Sequence, residues 1–118
     1  MSNSFKKKFA FEDRLRESTK VMNKYEDRIP VIVVKSSRSH LSEIDKNKYL
    51  VPQDLTIAQF LHIIRKRLKI NATESIFIYI DDKTLPTTST TISNLYRDHK
   101  DKDGFLYLTY CEENTFGN

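Results

Sequence analysis

Ile29-Pro-Val-Ile-Val-Val34 is the stretch that decides the fold. Its β-branched content predicts a strand, and it is apolar at both odd and even positions. A strand with one face in water would alternate apolar and polar residues, so this one is predicted to be covered on both faces. One cover must be a central helix, and the other could be a helix that precedes the strand. Pro30 has no N–H to donate and should therefore fall at an unpaired position.

Two helices are predicted to supply these covers. Residues 11–25 form an amphipathic pattern with Glu12 and Asp13 in the first turn, and residues before Phe9 are expected to be a short mobile extension. Thr56 and Gln59 form a capping box that starts the clearest helix. The first helix carries the stripe Phe11, Leu15, Met22 and Tyr25, and the second the core-facing stripe Ile57, Phe60, Leu61, Ile64 and Leu68, with Ile63 off that stripe.

The remaining elements complete a four-stranded sheet. Short strands are predicted at 48–52 and 75–80, Asp81 and Asp82 form a turn, and residues 83–86 return as a short strand. Thr90 or Thr91 could cap a short helix, and residues 104–110 form the last strand. After the N-terminal helix this order predicts an α+β, ubiquitin-like β-grasp fold, in which the two most apolar strands pair in parallel at the centre of a mixed sheet.

Composition limits the function without selecting one. The chain has 118 residues, a net charge of +4 and one cysteine, Cys111. These values indicate one domain with no internal disulfide, suited to a reducing compartment. No apolar run approaches the ~20 residues of a membrane span, and the N-terminus lacks the apolar region of a secretory signal. Basic clusters at 6–8, 46–48 and 65–69 would suit nucleic acid, anionic lipid or an acidic peptide, or are simply solvated.

The C-terminal stretch Tyr110-Cys-Glu-Glu-Asn-Thr-Phe-Gly-Asn118 holds one of the two glycines of the chain, Gly117. Glycine allows close approach to its carbonyl, which would suit a tail that is cut and joined. Frayed termini are common and carry no function. The residues alone leave both interpretations open.

Taken together, these features resemble the ubiquitin-like modifiers of autophagy, the GABARAP family, most closely its fungal and plant-type members. The likeness covers nearly the whole chain, and the order and spacing of its pieces are specific. The pieces are Lys24-Tyr-Glu-Asp-Arg-Ile-Pro-Val-Ile-Val33, Asp45-Lys-Asn-Lys-Tyr-Leu-Val-Pro52, Asp54-Leu-Thr, Gln59-Phe60, Ile64-Arg-Lys-Arg67, Asp101-Lys-Asp-Gly-Phe-Leu-Tyr107 and Glu113-Asn-Thr-Phe-Gly117.

The resemblance implies an N-terminal helical extension (1–27), a ubiquitin-like β-grasp domain (28–111) and a flexible tail (112–118). It also implies that a cysteine protease removes Asn118 after Gly117, with Phe116 as a recognition residue. Ubiquitin-type activating and conjugating enzymes would then join Gly117 to phosphatidylethanolamine. The protein would thus be cytoplasmic, bound to the autophagosome membrane when lipidated, and delivered to the vacuole or lysosome after fusion.

The resemblance further implies that cargo receptors and autophagy factors bind at the strand 48–52 through aromatic-x-x-aliphatic motifs. Arg28, Lys46, Lys48 and Arg67 would attract the acidic residues that flank such motifs. The aromatic pocket would include Glu17, Val21, Pro30, Ile32, Lys48, Leu50 and Phe105. The aliphatic pocket would include Tyr49, Val51, Pro52, Leu55, Phe60, Ile63 and Arg67.

Other functions find less support. Cys111 with a histidine could form a nucleophilic pair, but no motif accompanies it, and an enzyme is not predicted. No metal-ligand spacing or glycine-rich phosphate loop predicts a metal or cofactor. A nucleic-acid binder lacks a recognisable motif. A ubiquitin-like interaction module in trafficking that is never conjugated is the alternative to the lipidated modifier.

Overall fold

The computed structural model describes residues 4–112, which form four helices and four strands. The helices are α1 (Ser4–Lys8), α2 (Phe11–Lys24), α3 (Ile57–Leu68) and α4 (Ile92–His99). The strands are β1 (Arg28–Lys35), β2 (Lys48–Pro52), β3 (Phe77–Ile80) and β4 (Leu106–Cys111). Their order confirms the predicted β-grasp arrangement.

The sheet has the strand order β2-β1-β4-β3, with β1 and β4 parallel at its centre and the outer strands antiparallel to them. This confirms the central parallel pair predicted from the most apolar strands. The parallel register begins at Val31, opposite Leu106. Pro30 precedes it, so the missing N–H falls outside the β1–β4 ladder, as its chemistry requires.

One face of the sheet packs against α3 and forms the main core. Alternate β1 residues Val31 and Val33 meet Ile57, Phe60 and Ile64 in a cluster in which all five are at most 2% exposed. The α3 capping box is present, with the Thr56 hydroxyl accepting from the Gln59 amide and the Gln59 side chain accepting from the Thr56 amide. Ile63 is 40% exposed, as its place off the stripe predicts.

The other face of the sheet is covered by the N-terminal helices. Phe5 of α1 is 6% exposed and packs edge-on against Phe105, with ring centroids 5.3 Å apart. Ile32 and Tyr107 complete this second cluster. The expected mobile extension is therefore wrong for residues 4–8. A five-residue helix shows no periodicity, and its stability comes from burying one aromatic side chain.

The α2 helix turns a polar face to the protein, contrary to its predicted stripe. Phe11 and Leu15 are 42% and 39% exposed, whereas Arg14 and Ser18 are buried. Arg14 donates to the Asp103 carboxylate at 2.6 Å, and the Ser18 hydroxyl donates to the Asp103 carbonyl at 2.5 Å. The buried face is stable because each polar group on it has a partner.

Two further elements differ from the prediction. Residues 83–86 form no strand; a single bridge joins Thr84 to Ile80. Asp81 and Asp82 have φ of 50° and 64° and form the tight turn, after which the Ile80 and Thr84 backbone groups exchange two hydrogen bonds, at 2.7 and 3.2 Å. Thr91 rather than Thr90 caps α4, accepting from the Asn94 amide at 3.3 Å.

Candidate functional site

The edge strand β2 is the first feature of the site. In the part of the chain that the structure describes, β2 pairs with β1 alone, so its outer edge presents backbone groups that an extended peptide could bond. The register places Pro30 opposite Leu50 and Val31 opposite Tyr49. Since side chains alternate along a strand, Leu50 faces the α2 side of the sheet and Tyr49 the α3 side.

A cavity of about 390 Å³ lies between α2 and the β1–β2 edge. Six of the seven residues predicted for the aromatic pocket line it, together with the predicted cations Arg28 and Lys46. The seventh, Ile32, is fully buried in the cluster that contains Phe5 and does not line the cavity. The lining residues are Glu17, Val21, Arg28, Pro30, Lys46, Lys48, Tyr49, Leu50 and Phe105.

The residues predicted for the aliphatic pocket divide into a buried group and an accessible group. Tyr49, Val51 and Phe60 are at most 8% exposed and belong to the main core. Above this layer Leu55 is half-buried, whereas Pro52, Ile63 and the Arg67 side chain reach solvent. A ligand would therefore touch the second group, while the first supports the surface from below.

Tyr49 connects the two predicted pockets. Its ring meets Phe60 edge-on with centroids 5.6 Å apart, and Lys46 lies over the same ring at 5.0 Å. It also lines the aromatic cavity, for which it was not predicted. Its hydroxyl is buried, and no group among the described residues bonds to it. Burial accordingly raises the pKa of Tyr49.

Two of the four cations beside β2, Lys48 and Arg67, form ion pairs. Lys48 pairs with Glu17 at the aromatic cavity, and Arg67 Nε donates to Asp45 Oδ1 at 2.9 Å. The hydrogen bond from Arg67 lowers the pKa of Asp45. At Lys48 and Arg67, acidic groups of an incoming ligand would thus replace internal carboxylates, whereas Arg28 donates to the Leu50 carbonyl and Lys46 lies over the Tyr49 ring. Such exchange tunes specificity more than affinity, because exposed pairs contribute only ~0.2–1 kcal/mol.

The residues predicted for cleavage and lipid attachment, Phe116, Gly117 and Asn118, lie outside the described residues. The last described residue, Glu112, was predicted only as part of the tail. Its carboxylate accepts from the Ser39 hydroxyl at 2.7 Å and from the His40 amide at 2.9 Å. Partial burial would raise the pKa of Glu112, but these hydrogen bonds lower it to about 2. No local signal marks this contact, because its partners are 73 and 72 residues away in sequence.

Three other observations bear on chemistry. Cys111 is fully buried, so an external substrate has no path to its thiol in this conformation. Within residues 4–112 no group of three or more histidine, cysteine or acidic side chains is arranged to hold a metal. None of the helices in that range is long and apolar enough to cross a membrane.

Comparison with known proteins gives one consistent result. The family model described as "Autophagy protein Atg8 ubiquitin like" matches residues 13–117. Autophagy-related protein 8 of Kluyveromyces lactis is 51% identical over 118 residues, which is 100% of this chain and 94% of that protein. Autophagy-related protein 8b of Arabidopsis thaliana is 52% identical over 115 residues, which is 98% of this chain and 93% of that protein.

The fold agrees with these matches. A crystal structure of Trypanosoma brucei ATG8 superposes with a TM-score of 0.89 at 37% sequence identity, covering 94% of this chain and 95% of that one. The family match extends through Gly117. The chain belongs to the Atg8 family of ubiquitin-like autophagy proteins.

Proposed function

We propose that this protein is a modifier that is cleaved after Gly117, joined through Gly117 to phosphatidylethanolamine on autophagosomal membranes, and used there to bind receptors with aromatic-x-x-aliphatic motifs. The observation that carries the receptor part is the aromatic cavity, which adjoins the outer edge of β2, unpaired within residues 4–112, and is lined by three cationic residues. Lipid attachment is supported by the family match, which ends at Gly117.

The tail chemistry follows from the residue types. Hydrolysis of the peptide bond after Gly117 would release Asn118 and leave a free glycine carboxyl group. Glycine has no Cβ, so the nucleophiles of the protease and of the activating and conjugating enzymes would reach its carbonyl with little obstruction. The activating enzyme would first convert the Gly117 carboxylate into a thioester with an enzyme cysteine, driven by cleavage of a nucleoside triphosphate. The amine of phosphatidylethanolamine would then attack that thioester, release the cysteine thiol and form an amide. The two acyl chains of that lipid anchor a protein stably, whereas one chain does not.

Receptor binding would use the aromatic cavity and the adjoining β2 edge, together called the groove, in three ways. An extended peptide adds to the β2 edge through main-chain hydrogen bonds, and its aromatic side chain enters the cavity beside Pro30, Leu50 and Phe105. Its aliphatic side chain, three residues later, covers Leu55 and Ile63. Acidic residues that flank the motif displace Glu17 from Lys48, or Asp45 from Arg67.

The proposed function implies a set of partners and of cellular locations. The partners are a processing cysteine protease, ubiquitin-type activating and conjugating enzymes, phosphatidylethanolamine, and motif-bearing receptors. The protein is cytoplasmic before conjugation, resides on autophagosomes afterwards, and reaches the vacuole or lysosome on fusion. Membrane binding then depends on the attached lipid.

Mass spectrometry tests the processing step. The purified chain is incubated with a cell extract from a fungus, and the intact mass is followed over time. We expect the loss of a single asparagine residue from the wild type and no cleavage of Gly117→Ala. A wild-type chain that keeps Asn118 while still binding motif peptides would identify it as an interaction module that is not conjugated.

Calorimetry tests the groove. The ligand is a synthetic peptide with a Trp-x-x-Leu core and acidic flanks. Leu50→Ala removes an apolar wall of the cavity, and we expect a ~10-fold weaker Kd, the equivalent of ~1.4 kcal/mol. Leu85→Ala is the matched control, since Leu85 is an apolar residue 39% exposed that lines no part of the cavity. Equal affinity of the wild type and Leu50→Ala would show that the peptide binds to another surface.

A further inference from the structure

The contact between the end of β4 and the loop 36–47 is built from several hydrogen bonds. The Glu112 carboxylate accepts from the Ser39 hydroxyl and the His40 amide, at 2.7 and 2.9 Å. The Ser39 hydroxyl oxygen in turn accepts from the Leu41 amide at 3.0 Å. Ser39 is 7% exposed, so water competes little for its bond to Glu112. We call these three residues, Ser39, His40 and Glu112, the exit clamp.

The exit clamp is not what holds the loop to the sheet. The Ser36 amide donates to the Tyr110 carbonyl at 2.9 Å, and the Tyr110 hydroxyl donates to the Ser42 carbonyl at 2.6 Å. These two bonds flank the exit clamp and involve none of its members. The Glu112 bonds are therefore not required to keep the loop in place. What they fix is the position of the last described residue of the chain.

We infer that Glu112 is a positioning residue. Its hydrogen bonds to Ser39 and His40 fix the point at which the tail leaves the domain, and so present Gly117 to the enzyme that cleaves after it. The inference rests on the proposed cleavage after Gly117. With Glu112 held, five residues lead to Gly117 and span at most ~18 Å. An enzyme that grips the folded domain and the tail together then finds the scissile bond within a restricted volume.

Release of the exit clamp adds one unrestrained residue that the enzyme must order on binding. Fixing the backbone of one residue changes an equilibrium by a factor of about 5–30. This penalty falls on the bound substrate and the transition state alike. The Michaelis constant for the chain should therefore rise while kcat stays constant.

Kinetics of cleavage after Gly117 test the inference. Glu112→Ala should raise KM about 5–30-fold, and Ser39→Ala, which keeps the His40 bond and leaves the tail sequence intact, should raise it by a smaller factor. The double variant should match Glu112→Ala, since both changes break the same contact. Ser37→Ala is the matched control, an exposed serine in the same loop. A loss in Glu112→Ala with none in Ser39→Ala would mean that the enzyme recognises the carboxylate directly, and would overturn the inference.

Amide hydrogen exchange supplies a readout that needs no enzyme. The His40 amide should exchange faster in Glu112→Ala than in the wild type, whereas the Ser36 amide, bonded to Tyr110, should keep its rate. Unchanged His40 exchange would show that the exit clamp does not form in solution. Faster His40 exchange with unchanged KM would refute the positioning role. A wild-type chain that is not cleaved at all would instead refute the proposed function, and His40 exchange would still decide whether the clamp exists.

Discussion

Asp103 joins the N-terminal helices to the sheet, and replacing it with alanine should separate them. Its side chain is fully buried and accepts hydrogen bonds from Arg14, from the Phe105 amide at 2.9 Å, and from the Tyr107 hydroxyl. Desolvation and the bond to Asp103 both raise the pKa of Tyr107, so its hydroxyl stays protonated as a donor. Asp103→Ala removes the common acceptor of all three donors.

The expected loss in stability is large. The Arg14 side chain is only 10% exposed, and without Asp103 it would keep a buried charge with no carboxylate partner. Removing one partner of a buried ion pair costs about 3–5 kcal/mol. We expect about 3 kcal/mol, the lower end, because Arg14 Nε still donates to the Phe9 carbonyl at 3.0 Å. Since single domains are stable by ~5–15 kcal/mol, this is a substantial fraction of the total.

Urea unfolding followed by circular dichroism measures the effect. With a denaturant dependence of ~1–3 kcal/mol per molar urea, the midpoint should fall by ~1–3 M. The same variant should bind motif peptides more weakly, because α2 carries Glu17 and Val21 of the aromatic cavity. Asp98→Ala is the control. That carboxylate is exposed and forms an ion pair with the adjacent Arg97, so the change should stay within ~0.5 kcal/mol.

A second substitution separates the buried charge from general damage. Arg14→Met in the Asp103→Ala background removes the uncompensated cation and keeps an unbranched apolar side chain. It should restore at least ~1 kcal/mol. A loss of less than ~1 kcal/mol in Asp103→Ala alone, or further destabilisation by the added Arg14→Met, would contradict the role of the buried ion pair.

Three more predictions follow from single contacts. Gly104 has φ +89°, and a Cβ there would collide with Ser18 Oγ, so Gly104→Ala should cost ~1–3 kcal/mol in urea unfolding; a loss below ~0.5 kcal/mol would contradict this. Tyr49→Phe removes a buried hydroxyl that has no partner among the described residues, so stability should stay constant or rise by ~1 kcal/mol, and a clear fall would point to an unrecognised bond. Glu112 has a folded pKa of about 2, below its ordinary 4.5, so its stabilisation is complete above pH 4.5 and lost as the pH falls to about 2. Glu112→Gln should thus be less stable than the wild type at pH 7 and equal to it near pH 2, and a difference that persists at pH 2 would refute this assignment.

The sequence predicts those parts of the fold whose signals are local. Thr56 and Gln59 cap α3 because a capping box needs only residues three apart. The apolar residues at both odd and even positions of β1 correctly predicted its place at the centre of the sheet, because a strand with apolar side chains on both faces must be covered on both. The residues of the aromatic cavity also came together as the family pattern implied, although peptide binding there stays a prediction.

The parts that escaped prediction depend on long-range polar contacts. Apolar periodicity placed Phe11 and Leu15 on a stripe of α2, but both are exposed, because Arg14 and Ser18 find partners in Asp103, 89 and 85 residues away. The periodicity of apolar residues identifies an apolar face of a helix, but it does not identify a face that is buried through polar contacts. Glu112 illustrates the same limit, since an acid at a strand end is ordinarily solvated.

The two ends of β4 lie next to the two sites of the proposed function, the receptor-binding cavity and the tail that is cleaved. Phe105, just before the strand, lines the aromatic cavity, and Glu112, just after it, sets where the tail leaves. They are seven positions apart along an extended chain, a distance of ~23 Å. A bound receptor peptide and an enzyme holding the tail would therefore engage opposite ends of one central strand. Because β4 is held on both sides, by β1 and β3, a ligand at one end should not displace the other end. Receptor binding should consequently leave cleavage after Gly117 unhindered. A motif peptide added at saturation should leave the KM of the processing enzyme unchanged. A rise in KM would show that the enzyme and the receptor peptide compete for the groove.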